Sequence, residues 1–105
     1  MLHATIRRYE SVDQNGIDEL KRKINETLIP QLSKLPGFNG YWVIETDKDV
    51  FTSFSLFGTP AEAQESSRIA ADWVRDEKLE RMLPNPPVVT DGEVIAHKSN
   101  GMVRA

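Results

Sequence analysis

Apolar and polar positions change their spacing several times along this chain of 105 residues. Residues 3–9 alternate between the two types, with Ala4 and Ile6 on one side, and this period of two predicts a strand. Apolar residues then recur at every third or fourth position up to residue 35, which predicts a helix with one buried face. Its apolar stripe comprises Ile17, Leu20, Ile24, Leu28, Leu32 and Leu35.

Pro30 lies inside this predicted helix. A proline there has no N–H group to donate and crowds the carbonyl four residues earlier, so we expect a kink or a break near residue 30. Pro36-Gly37 is then expected to end the element.

The strongest strand pattern lies between residues 41 and 57. Residues 41–45 and 50–57 are rich in aromatic and β-branched side chains, and the charged segment 46–49 between them predicts a hairpin. Bulky apolar side chains fall on both faces of these strands, as Tyr41 and Trp42 show on successive positions. Two helices on one side can cover only one face. We therefore expect the chain to form a homodimer through the sheet.

A second helix is predicted to begin after residue 58. Thr59 is a suitable N-cap, Pro60 fits the first turn, and Glu62 completes a capping box. The inward stripe of this helix is predicted to contain Ala63, Ser66 or Ser67, Ala70, Trp73 and Val74.

The end of the chain predicts a connector and a last strand. Proline-rich residues 84–87 favour an extended connector. Residues 88–90 are followed by Asp91-Gly92, which indicates a turn, and Glu93 to His97 is then expected to form the fourth strand. The element order is βαββαβ, which predicts a ferredoxin-like α+β fold with a four-stranded antiparallel sheet and two helices on one face. We expect one domain over residues 1–98 and a flexible tail over residues 99–105.

Composition excludes several classes of function. A net charge of −3 argues against a nucleic-acid partner, and the absence of cysteine excludes disulfides and thiol chemistry. No run of about 18 apolar residues predicts a membrane span, and the N-terminal residues do not resemble a signal peptide. The sequence thus predicts a soluble, cytoplasmic protein with no membrane partner.

Several short motifs resemble the dimeric α/β-barrel superfamily, in its antibiotic-biosynthesis-monooxygenase-like branch. They are Pro36-Gly37-Phe38 with Gly40-Tyr41, Ser53-x-Ser55-x-Phe57, Thr59-Pro60-x-Glu62-Ala63 with Ser66, Ala70 and Trp73, Leu83-Pro84, Pro86-Pro87, and Gly92-Glu93-Val94. The resemblance covers about residues 2–98 and implies two ferredoxin-like subunits whose sheets face each other. It also implies activities that range from cofactor-free oxidation of polycyclic aromatics to haem degradation. The haem-degrading members use a histidine on the second helix, which this sequence lacks there, so that activity is disfavoured.

Five residues are candidates for the wall of a ligand pocket: Arg7, Tyr9, Tyr41, Trp73 and His97. Arg7 and Tyr9 share the most polar strand face, and an arginine that points into an apolar interior requires an acidic partner or an anionic ligand. The alternative is an edge strand whose polar face meets water. Trp73 fits either core packing or a pocket wall, and a buried Tyr41 hydroxyl requires a hydrogen-bond partner.

Two further conclusions concern chemistry. His97 and His3 could approach each other across outer strands, but two histidines without an acidic ligand make a poor metal site, so we expect no metal. No phosphate-binding or dinucleotide motif is present, so we expect no classical cofactor. The sequence leaves two functions open: a cofactor-independent monooxygenase acting on a small apolar or aromatic metabolite, or a non-catalytic homodimer that binds a small ligand.

Overall fold

A computed structural model describes residues 2–47 and 49–98 of the chain. The predicted flexible tail, residues 99–105, lies outside the described residues. The elements are β1 (His3–Tyr9), α1 (Ile17–Lys23), α2 (Ile29–Ser33), β2 (Phe38–Asp47), β3 (Val50–Phe57), α3 (Pro60–Asp76) and β4 (Val88–Glu93). A short 3₁₀ turn, Gln14–Gly16, precedes α1, and a π-helical turn, Ile24–Leu28, joins α1 to α2.

The π-helical turn accommodates Pro30 without interrupting the helical segment that α1 and α2 form. At its end the N–H of Ile29 donates to the carbonyl of Ile24, five residues earlier, instead of the usual four. This wider turn comes directly before Pro30, which has no N–H group to donate to a helical carbonyl, and α2 continues through Pro30 to Ser33. The expected disruption near residue 30 is thus a π bulge, and residues 17–33 stay helical.

The four strands form one antiparallel sheet in the order β2-β3-β1-β4. β1 is therefore a central strand, not an edge strand facing water. Its side chains alternate across the sheet, and the register aligns Arg7 with Ser53 and Ile6 with Phe54. The ferredoxin-like fold predicted from the element order is confirmed.

The helical segment of α1 and α2 and the helix α3 both cover one face of the sheet, which we call the inner face. It carries Thr5, Arg7 and Tyr9 of β1, Phe51, Ser53, Ser55 and Phe57 of β3, and Tyr41 and Val43 of β2. The core between sheet and helices includes Leu20, Ile24, Leu28 and Leu32, so the predicted helical stripe is confirmed.

The opposite face of the sheet, which we call the outer face, is largely apolar, with Arg8 as its charged residue on β1, and is uncovered within one subunit. It carries Ile6, Trp42, Ile44, Phe54, Leu56 and Val88. Trp42 is 47% exposed and Ile44 is 54% exposed, and the Trp42 ring packs edge-to-face on Phe54 with centroids 5.7 Å apart.

The last strand differs from the prediction. β4 runs without interruption from Val88 to Glu93, so the expected turn at Asp91-Gly92 is wrong, and residues 94–98 follow the strand instead of forming it. The pairing with β1 explains the difference, because Asp91 and Gly92 lie opposite Thr5 and Ala4 in an antiparallel ladder. Backbone hydrogen bonds to a central strand outweigh the local preference of Asp-Gly for a turn.

The second helix begins as predicted. The side chain of Thr59 accepts a hydrogen bond of 3.2 Å from the N–H of Glu62, and Pro60 occupies the first helical position. After α3 the chain turns at Lys78, which has a positive φ, and buries Leu79 before it reaches the proline-rich residues 84–87. Within the described residues, no helix is both long enough and apolar enough to cross a membrane.

Candidate functional site

A cavity of about 40 Å³ lies between the inner face of the sheet and the helices. Its polar wall is made by Arg7, Tyr9, Tyr41, Ser53 and Trp73, and its remaining wall by Leu20, Ile24, Leu28, Val43, Phe51, Ala70, Val74 and Leu83. A volume of this size holds a few water molecules, which makes it smaller than an ordinary ligand pocket.

Arg7 is the charged group of this cavity. It is only 8% exposed, because β1 is central and the helices cover its side chain. Its Nη2 atom donates a hydrogen bond to Ser67 Oγ of α3, and Ser67 Oγ in turn donates to the carbonyl of Ala63 at 3.2 Å. Among residues 2–47 and 49–98, no Asp or Glu forms an ion pair with the guanidinium. A buried cation is thus held by a neutral hydroxyl.

The two tyrosines of the cavity are held in their neutral form. Burial raises the pKa of Tyr41 to about 12, with a further increase from Tyr9, while the Ser53 hydroxyl and the charge of Arg7 oppose the change. Burial also raises the pKa of Tyr9, and Arg7 again opposes it. Both phenols therefore keep their protons at neutral pH and can donate hydrogen bonds.

Trp73 serves both of the roles that its sequence position allows. It is 5% exposed and belongs to the hydrophobic core, and it also lines the cavity. Its Nε1 donates a hydrogen bond of 2.6 Å to Thr27 Oγ1, which donates to the carbonyl of Lys23 at 2.7 Å. Thr27 lies in the π-helical turn, so this irregular turn supplies the acceptor that holds the indole ring in place.

A second space, a groove of about 330 Å³, adjoins the cavity. The cavity and the groove share Arg7, Tyr9, Ala70, Val74 and Leu83 as lining residues. The rest of the groove is formed by Ser67, Ala71, Glu80, Pro84, Asn85, Pro86 and Pro87. α3 forms one side and the connector, residues 84–87, the other. The volume of the groove is within the range of small-molecule sites.

The structure brings together four of the five sequence candidates, Arg7, Tyr9, Tyr41 and Trp73. It does not bring His97 to them, because His97 is exposed beyond the end of β4. His3 lies elsewhere, with Nε2 3.8 Å from Asp91. Within the described residues, no group of three or more His, Cys, Asp or Glu side chains could hold a metal ion.

Three features of the site are not evident from the sequence. Ser67 is the partner of Arg7, although the helical stripe leaves the choice between Ser66 and Ser67 open. Thr27, which lies in the π-helical turn, is the partner of Trp73 although it is not part of the predicted apolar stripe. The groove wall depends on the course of residues 84–87, for which the proline content predicts extended backbone but no position.

Comparison with solved structures shows the same fold in several other proteins. A protein of unknown function from Nitrosomonas europaea matches with a TM-score of 0.76 and 19% identity, covering 96% of both chains. A protein named as a putative antibiotic biosynthesis monooxygenase, also from N. europaea, matches with a TM-score of 0.73 and 15% identity over 90% of each chain. A dimeric ferredoxin-like protein from an uncultured marine organism matches with a TM-score of 0.69 and 12% identity, covering 99% of this chain and 93% of that one.

No protein-family profile and no curated protein sequence matches this chain significantly. The fold and the site define an α+β protein of ferredoxin-like architecture with a buried, donor-lined cavity. At identities below 20%, the structural neighbours show a shared fold without assigning a family or a reaction.

Proposed function

We propose that this protein is a homodimer that binds a small, mostly apolar or aromatic molecule beside Arg7 and oxidises it with molecular oxygen, without a bound cofactor. The observation that carries the proposal is a buried guanidinium whose hydrogen-bond partner is a neutral serine, in a cavity with otherwise apolar and phenolic walls. Such a cation stabilises negative charge on a bound molecule, because the low dielectric of the site strengthens the interaction.

The reaction would use electrons from the substrate alone. A substrate with a ring methylene beside an acidic carbonyl or phenol loses its proton to solvent, and the anion binds beside Arg7 and reacts with O₂. Overall the CH₂ group and O₂ yield a C=O group and H₂O, so one oxygen atom enters the product and the other leaves as water. Arg7 would stabilise the substrate anion, Trp73 and Tyr41 would line the cavity around its charged oxygen, and Ala70 and Val74 of the adjoining groove would lie beside its ring.

The homodimer is part of this proposal because the outer face needs a cover. Trp42 and Ile44 are each about half exposed on the largely apolar outer face, and an exposed apolar surface of this kind is typical of a protein–protein interface. One structural neighbour is named as a dimeric ferredoxin-like protein, which supports a second copy as the occupant.

A non-catalytic homodimer that binds a small ligand is the second candidate function. It is favoured by the composition of the cavity, whose lining residues include no carboxylate and no histidine to accept a proton. Tyr41, with a pKa of about 12, is a poor base at neutral pH.

The test is oxygen uptake by the purified protein with a dihydroxyanthrone as substrate and no added cofactor. We expect the wild type to consume one O₂ per substrate, and Arg7→Ala to be slower by about 100-fold, as expected when one electrostatic stabiliser of an anion is removed. Arg68→Ala is the matched control, because Arg68 is exposed on α3, pairs with Glu65 and Asp72, and lines neither the cavity nor the groove. It should retain activity within about twofold. Absence of uptake by the wild type would contradict the oxidase and favour the binding protein.

A further inference from the structure

Arg7 lines both spaces of the site, the small cavity and the larger groove. The cavity, at about 40 Å³, is too small for a ring system, whereas the groove, at about 330 Å³, is not. A ligand that reaches the guanidinium without displacing the core must therefore place most of its atoms in the groove. The groove wall offers apolar contacts from Ala70, Ala71, Val74, Leu83 and Pro86.

Among the residues that the structure describes, no acidic side chain pairs with the guanidinium of Arg7. Its partner Ser67 is neutral, and Tyr9 and Tyr41 are hydrogen-bond donors with raised pKa values. The cavity thus presents donors and a positive charge, and an acceptor with a negative charge would complement it. The guanidinium fork matches the two oxygens of a carboxylate, and it also binds a single phenolate oxygen.

The ligand must bring its negative charge with it, since the cavity supplies no base. No carboxylate or imidazole is among the residues that line the cavity, and the tyrosines are protonated at neutral pH. The groove does include one carboxylate, that of Glu80, which is exposed and makes no ion pair with Arg7. An anionic group is repelled by Glu80 and attracted by Arg7, so the two charges orient a ligand within the groove.

We propose that the ligand of this site is a small apolar acid that is already ionised when it binds, with its anionic oxygen on Arg7 and its apolar body in the groove between α3 and residues 84–87. The inference deepens the proposed function by naming the ligand class and the position of the ligand, and it holds for an oxidase and for a binding protein alike.

The test is equilibrium binding under anaerobic conditions, so that turnover plays no part. Three probes of similar size are compared by titration calorimetry at pH 7: 2-naphthoate, the acidic phenol 1-nitro-2-naphthol, and the neutral 2-naphthylmethanol. We expect at least one anionic probe to bind tenfold or more tightly than the neutral one. Which of the two anions binds better distinguishes a carboxylic acid from a phenol. Amide NMR shifts should change at Ala71 and Leu83.

Substitutions separate the two parts of the proposal. Arg7→Met keeps a side chain of similar length and should remove the preference for anions, while Arg68→Met, exposed on α3 and outside both the cavity and the groove, should keep it. Ala71→Trp fills the groove from an exposed helical position and should weaken every probe at least tenfold. Gln64→Trp, exposed on the same helix but not among the groove residues, is its control. Far-UV circular dichroism verifies that each variant is folded.

The outcomes that overturn the inference are distinct from failure of the proposed function. Equal affinity for neutral and anionic probes, or an anion preference that survives Arg7→Met, would refute the anionic ligand. Unchanged affinity in Ala71→Trp would refute the groove. Binding of none of the probes at millimolar concentration would also overturn the inference, whereas the oxidase is judged separately by the uptake of oxygen.

Discussion

The two faces of the sheet differ in a way that reverses the usual arrangement of a half-covered antiparallel sheet. The inner face lies under the helices, yet four of its buried residues are polar: Thr5, Arg7, Ser53 and Ser55. The outer face is not covered by the subunit itself, yet it presents apolar side chains such as Trp42 and Ile44. Ordinarily the apolar face is buried and the polar face meets water. The difference is consistent with the two proposals made above, a ligand at the inner face and a second subunit on the outer face.

The largest expected contrast comes from two phenylalanines on β3. Phe51 points to the inner face and is 4% exposed, whereas Phe54 points to the outer face and contacts Trp42. Phe51→Ala should lower the free energy of unfolding by about 3–5 kcal/mol, because it leaves a void in the core. Phe54→Ala should lower the free energy of unfolding of the single subunit by a smaller amount, because the Phe54 ring is not enclosed within one chain. Urea denaturation measures both.

The dependence of the melting temperature on protein concentration distinguishes a loss of stability within the subunit from a loss at the dimer interface. The melting temperature of a dimer rises with protein concentration, and Phe51→Ala should keep this dependence. Phe54→Ala should reduce this concentration dependence, because the Phe54 ring belongs to the proposed interface between subunits. Equal losses and equal concentration dependence in the two variants would mean that the two faces do not play different roles.

The next prediction concerns the outer face alone. Ile44→Glu places a charge on the proposed interface, and a two-fold dimer contains this change twice. We expect the dimer dissociation constant to rise by about 100-fold or more, because carboxylates without partners resist burial. Sedimentation velocity over a range of concentrations measures the change. The fold of the subunit should persist, since Ile44 is 54% exposed.

Ile95→Glu is the matched control for this experiment. Ile95 is the more exposed side chain, at 93%, but it follows β4 and lies outside the sheet. Its substitution should leave dissociation unchanged within about threefold if only the outer face forms the interface. A wild-type protein that sediments as a monomer at micromolar concentration would contradict the homodimer itself.

Most of the architecture could be predicted from residue spacing. The helical stripe that includes Leu20 and Leu32 is buried, and the N-cap Thr59, followed by Pro60 in the first turn, begins α3 as expected. The errors arise where tertiary pairing outweighs local preference. Asp91-Gly92 favours a turn on its own, but it extends β4 because β1 offers a full ladder of partners.

The site was less predictable than the fold, because it depends on strand order and on irregular backbone. Sequence alternation puts Arg7 and Tyr9 on one face, but only the central position of β1 decides that this face is buried. Thr27, the partner of Trp73, lies in a π-helical turn, and no residue pattern other than the nearby Pro30 hints at such a turn. The sequence pattern predicts His97 at the pocket because Glu93 to His97 is expected to form the fourth strand, but β4 ends at Glu93 and leaves His97 exposed.

The smallest expected effect tests the inner face through pH. The chain has two tyrosines, and both lie on that face. Between pH 10 and pH 12 unfolded Tyr41 loses its proton while folded Tyr41, with a pKa of about 12, keeps it. The folded state then binds more protons than the unfolded state, so the free energy of unfolding falls as pH rises. This contribution, present in full below pH 10, is about 2 kcal/mol and is lost by pH 12.

Tyr41→Phe should therefore flatten the fall in stability over this range, as measured by urea denaturation at several pH values. Tyr9→Phe should flatten it too, because burial raises the pKa of Tyr9 in the same direction. Trp42→Phe, an aromatic substitution on the outer face with no titrating group, should leave the slope of the wild type unchanged. A Tyr41→Phe curve parallel to that of the wild type would mean that the Tyr41 phenol meets water, and the inner face would then be open where the structure closes it.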